Sequence, residues 1–180
     1  MADEEAAGAG NPSWGPQSSK VVQWYDPMIT ATGALGLSGY EFMSAIRDGK
    51  LPRPPIASLV SFRVAEVEVG RIVFECTPDE SVYNPIGTVH GGVVCTLADS
   101  AAACAVHTTL EAGFAYTSID LNVSYLRAVT RDSGTLRAIG IVTKPGRRVA
   151  FSSVEVFDGR GKLVATATSS CLVMPLNGAG

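Results

Sequence analysis

Two hydrophobic periods divide the chain. Between residues 21 and 50 the large apolar positions are scattered (Trp24, Met28, Leu35, Leu37, Phe42 and Ile46), and Gly33, Gly36 and Gly39 interrupt them. That spacing predicts one or two short helices. Leu51-Pro52-Arg53-Pro54-Pro55 reads as a rigid connector, because each proline fixes φ and removes a backbone donor. From Ile56 the period becomes two. Ser61 to Val69 alternates with a phase slip at Ala65, which predicts a β-bulge. Arg71 to Thr77 places Ile72, Phe74 and Cys76 on one face. Thr117 to Tyr125 sets Thr117, Ile119, Leu121, Val123 and Tyr125 against Ser118, Asp120, Asn122 and Ser124. Thr135 to Thr143, Val149 to Phe157 and Lys162 to Val173 complete the strands, with Asp158-Gly159-Arg160-Gly161 as a hairpin turn.

One segment breaks this pattern. Gly91 to about Leu110 is Ala-rich, contains no proline and is apolar on every helical face, which describes a buried helix. The predicted order is helix, two strands, buried helix, four strands. A meander that follows one central helix must wrap that helix to bury it. Residues 1–20, rich in Gly, Pro and Ser, read as a flexible tail, residues 21–55 as a helical extension and residues 56–175 as the main domain.

The 180 residues are 46% hydrophobic and 17% charged, with a net charge of −3. Such a balance argues against a general nucleic-acid binder and leaves room for a local basic patch. A low charge fraction also suggests surface covered by other subunits. The first ten residues lack the pattern of a signal peptide, and no run of 18 apolar residues offers a membrane span. Cys76, Cys95, Cys104 and Cys171 form no CxxC and no zinc-like spacing, so a reducing, cytoplasmic setting without metal or cofactor is expected.

Asp99 is the one formal charge between Ser81 and Leu110. An ionised carboxylate in an apolar setting is costly unless it is paired, hydrogen-bonded or at an interface. Upstream, Asn84 and His90-Gly91-Gly92 stand at the start of the same helix. Free N–H groups and the helix dipole make that end a site for an oxyanion or a polarised carbonyl. Gly91 and Asp99 are eight residues apart, or about 12 Å along one helix. Both can act on one atom only if the carboxylate comes from a second copy. Two antiparallel helices would do this twice, with Ala98, Ala101, Ala102 and Ala103 allowing close approach, which predicts a twofold dimer with two composite sites.

At these residues the chain resembles the hotdog-fold acyl-CoA thioesterases of the PaaI-like (phenylacetate-degradation) group. The resemblance runs from about Ser61 to Val173. It is carried by Asn84, Gly87-Thr88-Val89-His90-Gly91-Gly92 and Leu97-Ala98-Asp99-Ser100, then by Thr117 to Arg127 and the last hairpin. It implies an α+β hotdog fold: an antiparallel sheet of five to six strands curled around one long helix, paired into dimers that often form tetramers. It implies hydrolysis of an acyl-CoA to a free acid and CoA. Asp99 matches the residue that attacks the thioester or activates water, and the Gly91 N–H matches the donor that polarises the carbonyl. Asn84 matches the residue that positions water or carbonyl, and His90 the residue beside the donor. Ser118 matches a polar residue near the carboxylate, with Thr117 as its rival. Gly92 belongs to the same binding mouth.

A thiol leaves without much protonation, so one carboxylate and one oxyanion donor suffice. Gly36-Leu37-Ser38-Gly39 lacks the spacing of a nucleophile elbow. Lys144, Arg147 and Arg148 form a basic turn suited to the CoA phosphates, and Arg127 with Arg131 forms a second candidate pair. Two other functions fit the same pocket: an enoyl-thioester hydratase or dehydratase using His90 with Asp99, and a non-catalytic acyl-CoA-binding protein. His90 and His107 lie too far apart on one helix to share a metal ion with Asp99.

Overall fold

The computed structural model describes residues 11–176. Helices α1 (Pro27–Gly33), α2 (Gly39–Arg47) and α3 (Pro55–Leu59) precede strands β1 (Phe62–Glu68) and β2 (Arg71–Cys76). The long helix α4 (Gly91–His107) follows, and then β3 (Phe114–Tyr125), β4 (Leu136–Lys144), β5 (Val149–Phe157) and β6 (Leu163–Pro175). The strands form one antiparallel sheet in the order β1-β2-β4-β5-β6-β3, so β1 and β3 are its edges. This is the predicted α+β architecture, a sheet wrapped around one helix.

α4 packs against β2, β3, β4, β5 and β6. Leu97, Ala98, Ala101, Ala102, Ala105 and Val106 are fully buried. Removing a side chain such as Leu97 from water contributes about 2 kcal/mol. The sheet comes close at Gly140 on β4, where a Cβ would stand 2.1 Å from the Ala101 carbonyl oxygen. Only glycine lets strand and helix meet there. The helix is not buried all round, as its composition suggests. Gly91, Gly92, Cys95, Thr96 and Asp99 recur three or four residues apart, and they remain exposed or half-buried.

The extension is docked on the domain. Ser38 caps α2: its Oγ accepts from Glu41 N–H at 3.3 Å, and Glu41 Oε2 accepts from Ser38 N–H at 2.8 Å. α2 rests on β1 and α4. Phe42 packs against His107 with ring centroids 5.4 Å apart, and His107 packs against Tyr116 of β3 at 4.9 Å, both pairs tilted.

Three expectations need correction. A third helix, α3, occupies residues where the strand period was expected to begin, because Pro55 starts a helical turn as readily as it ends one. β3 starts at Phe114 and bulges between Ser118 and Asp120. The extra residue turns Ile119 outward, 56% exposed, rather than inward with Leu121 and Val123. Residues 1–10 of the expected tail lie outside the described residues. At the end of that segment Lys20 Nζ pairs with Asp79 at 2.8 Å and donates to Ser61 Oγ at 3.1 Å, while residues 13–19 before it are exposed. The predicted bulge in β1 falls between Val64 and Glu66, and β5 spans Val149–Phe157 as predicted.

His107 links the extension to acid stability. Burial pushes its pKa from 6.5 down to about 4. The unfolded chain takes up this proton near pH 6.5 and the native ring resists it, so the stability is complete above pH 6.5 and is lost as pH falls toward 4. Urea unfolding should show the native protein losing about 3 kcal/mol more than His107→Phe across that range. Carboxylate contributions cancel in the comparison. Parallel pH dependence of the two proteins would contradict it.

Candidate active site

The loop before α4 is built around Asn84. Its Oδ1 accepts from Ile86 N–H at 3.1 Å and Thr88 N–H at 3.2 Å, and its Nδ2 donates to Thr88 Oγ1 at 2.9 Å. The carboxamide is therefore engaged in shaping the loop and retains one Nδ2 hydrogen for anything else. The expected role of positioning water or carbonyl rests on that single hydrogen.

His90 is the N-cap of α4. Its Nδ1 accepts from Gly92 N–H at 2.9 Å, which leaves the proton of the neutral ring on the exposed Nε2. The His90 carbonyl accepts from Val93 N–H at 2.9 Å. With Gly92 and Val93 N–H engaged, the Gly91 N–H has no acceptor among the described residues. It is a free donor at the positive end of a helix of 17 residues.

Tyr125, at the end of β3, closes over that turn. Its hydroxyl donates to the Gly91 carbonyl at 3.0 Å and meets Cys95 Sγ at 2.8 Å. The Cys95 hydrogen bond, aided by desolvation, pushes the phenol up to about 12, so it stays protonated. Neither Tyr125 nor Cys95 was singled out from the sequence. Cys95 lies one helical turn after Gly91, and Tyr125 faces inward with Leu121 and Val123; those two relations were the available signal. A cleft of 310 Å³ opens here, with Asn84, Thr88, Gly91, Tyr125 and Arg127 among its walls.

Asp99 lies two turns further along α4, outside that cleft, and is half-buried rather than enclosed. Ser118 Oγ donates to its Oδ1 at 2.8 Å. The β3 bulge next to Ser118 re-aims the strand, so Ser118 and Leu121 both face α4. Ser118, rather than its neighbour Thr117, makes the bond to Asp99. Oδ2 of Asp99 is left without a partner among the described residues.

The basic turn stands apart. Val149 and Thr117 both register with Leu172, so the β4–β5 turn lies two strands, about 10 Å, from Thr117. Arg147 and Arg148 are exposed there, and Lys144 Nζ sits 5.9 Å from the centroid of the Phe151 ring. Arg127 donates to the Leu163 carbonyl, and Arg131 pairs with Glu80 at 3.3 Å. His107 is packed among aromatic rings, far from the cap formed by His90, and the described residues hold no cluster of three metal-ligating side chains.

Comparison with known proteins agrees with this fold and gives its family. The thioesterase superfamily profile matches residues 86–165, which include the glycine pair, Asp99 and Ser118. The human protein acyl-coenzyme A thioesterase 13 is 32% identical over 97 residues, 53% of this chain and 68% of its own length. A thioesterase structure from Ralstonia eutropha JMP134, described as a phenylacetic acid degradation-related protein, is 31% identical with a TM-score of 0.66, covering 72% of this chain and 98% of its own. The PaaI protein of E. coli superimposes with a TM-score of 0.66 at 22% identity over 77% of this chain and 96% of its own, and shows the shared fold.

Proposed function

Because this chain belongs to the thioesterase superfamily, we propose that it hydrolyses acyl-CoA thioesters at two composite sites of a homodimer. The observation that carries the reading is the free Gly91 N–H on the same open stripe of α4 as Asp99. Within one protomer the two are about 12 Å apart. An antiparallel second α4 sets each amide beside the other protomer's carboxylate. β3 supports the pairing, for it is a long edge strand whose backbone is open on one side and whose Ile119 and Tyr125 are exposed. A second copy of that edge would cover both.

In such a site the thioester carbonyl accepts from Gly91 N–H, which stabilises the negative charge that grows on its oxygen. Ser118 holds one oxygen of Asp99 and leaves the other to act. As nucleophile, Asp99 bonds to the acyl carbon, the C–S bond breaks, and water then opens the resulting anhydride. As base, Asp99 takes a proton from the water that attacks. In either course the sulfur leaves as thiolate and is protonated afterwards. The exposed Arg147, Arg148 and Lys144 provide cations for the phosphates of CoA, whereas Arg127 and Arg131 are already engaged within the protein.

The amide is tested by a pair of substitutions. Gly91 is the first residue of α4, where proline is tolerated, and His90 already has the extended φ −60°, ψ 133° that precedes proline. Gly91→Pro removes the N–H, whereas Gly91→Ala retains it and brings similar crowding against Tyr125, 3.0 Å from an added Cβ. Thiol-release assays should find kcat about 100-fold lower for Gly91→Pro than for Gly91→Ala. Equal rates would exclude the amide.

Asp99→Asn should lower kcat at least about 100-fold with an unchanged melting temperature. Turnover at the native rate in that variant would remove Asp99 from the mechanism. Arg148→Glu should raise KM for acyl-CoA about tenfold with kcat retained; an unchanged KM would take the basic turn out of substrate binding.

A further inference from the structure

Between the extension and the side of α4 that carries Ser100 and Cys104 lies a second cavity, of 210 Å³. Phe42, Met43 and Ile46 of α2 form one wall, and Phe74, Cys104 and Tyr116 stand opposite. Its polar side chains are already satisfied inside the protein. Thr30 Oγ1 donates to the Pro52 carbonyl at 2.7 Å, Ser100 Oγ donates to the Thr96 carbonyl at 2.8 Å, and Cys104 Sγ meets the Tyr116 hydroxyl at 3.5 Å. Arg63, at the rim, pairs with Glu75 at 2.5 Å. What remains for an occupant is apolar surface, with Arg53 at the margin.

Its position relates it to the proposed chemistry. Ser100, in the cavity wall, directly follows Asp99. Tyr116, also in the wall, is two residues before Ser118 and points, like it, toward α4. The cavity therefore begins beside the Asp99–Ser118 pair and runs under α2 toward Arg53 and Arg63 near the other edge of the sheet. We infer that it holds the acyl chain of the thioester and that α2 sets the length accepted. The inference rests on the thioesterase reading above.

The volume names the class. A dry cavity of about 150 Å³ takes one benzene ring, so 210 Å³ takes about eight carbon atoms. The substrates are medium-chain acyl groups or a single aromatic ring on a short stem. A longer chain would meet the guanidinium groups of Arg53 and Arg63, where apolar contact ends.

The test is a thiol-release series on the full chain, from acetyl-CoA to palmitoyl-CoA, with two opposed variants. Ile46 is half-buried, and Ile46→Phe narrows the cavity with little strain; Met43→Ala widens it. The native enzyme should have its highest kcat/KM near octanoyl-CoA. Ile46→Phe should lower the octanoyl-to-butanoyl ratio of kcat/KM about tenfold, and Met43→Ala should move the optimum to longer chains. Near-UV circular dichroism checks that each variant is folded, and either variant alone decides the direction. If the native enzyme cleaves acyl-CoAs but a folded variant keeps the native length profile, the cavity is not the acyl site. If the native enzyme releases no thiol from any member of the series, the thioesterase reading falls and this inference with it.

Discussion

A straight helix cannot bring its first amide and a carboxylate two turns later to the same atom. In this protein that constraint governs the rest. The Gly91 N–H is free because His90 engages the next donor, and Asp99 is oriented by Ser118, yet rigid geometry holds the two about 12 Å apart. α4 is stiffened further by the sheet around it, with Gly140 against Ala101 leaving no room for a shift. Neither group reaches the other by bending. A single substrate carbonyl is then served by both only across two copies of the helix, and the fold leaves one small-residue stripe of α4 and one long sheet edge open on the side where a second copy would lie.

The division of labour along α4 follows from helix physics. Its N-terminus carries unsatisfied donors, so in the proposed mechanism the electrophilic half of the chemistry comes from backbone and requires only that nothing block it. Glycine at positions 91 and 92 meets that requirement, and Tyr125 confines the space above it. The acidic half needs a side chain at a defined position. That position is fixed by a bond from a different element, β3, and depends on a bulge that spends one residue to turn Ser118 toward the helix. The extension completes the picture by covering α4 beyond Asp99, where α2 closes an apolar cavity and His107 joins three elements through its two aromatic neighbours.

How much of this was legible in the sequence varied with the physical origin of each feature. α4 and β5 were read nearly to their ends, because an apolar helix with a single charge and a strand with strict alternation are local patterns that tertiary packing reinforces. α3 was missed because five residues beginning at Pro55 carry no period of their own. β3 was read with the wrong face for Ile119, since a bulge changes parity without any mark in composition. Asp99 and Gly91 stood out as chemistry because one is a charge in an apolar run and the other opens a helix. Tyr125 and Cys95 did not, for their relation spans 30 residues and is created by the curl of the sheet. The engagement of Asn84 within its own loop was likewise invisible, because an Asx turn and a substrate contact use the same side chain.

The most direct test of the composite site is complementation between two disabled protomers. Co-expression of Asp99→Asn and Gly91→Pro chains carrying different affinity tags allows the mixed dimer to be purified by two successive capture steps. One of its two sites then unites an unaltered amide with an unaltered carboxylate, so turnover per dimer should recover to about half that of the native dimer, although each parent alone is nearly inactive. Recovery no greater than the average of the two parents would contradict the account, because it would mean that amide and carboxylate act within one chain.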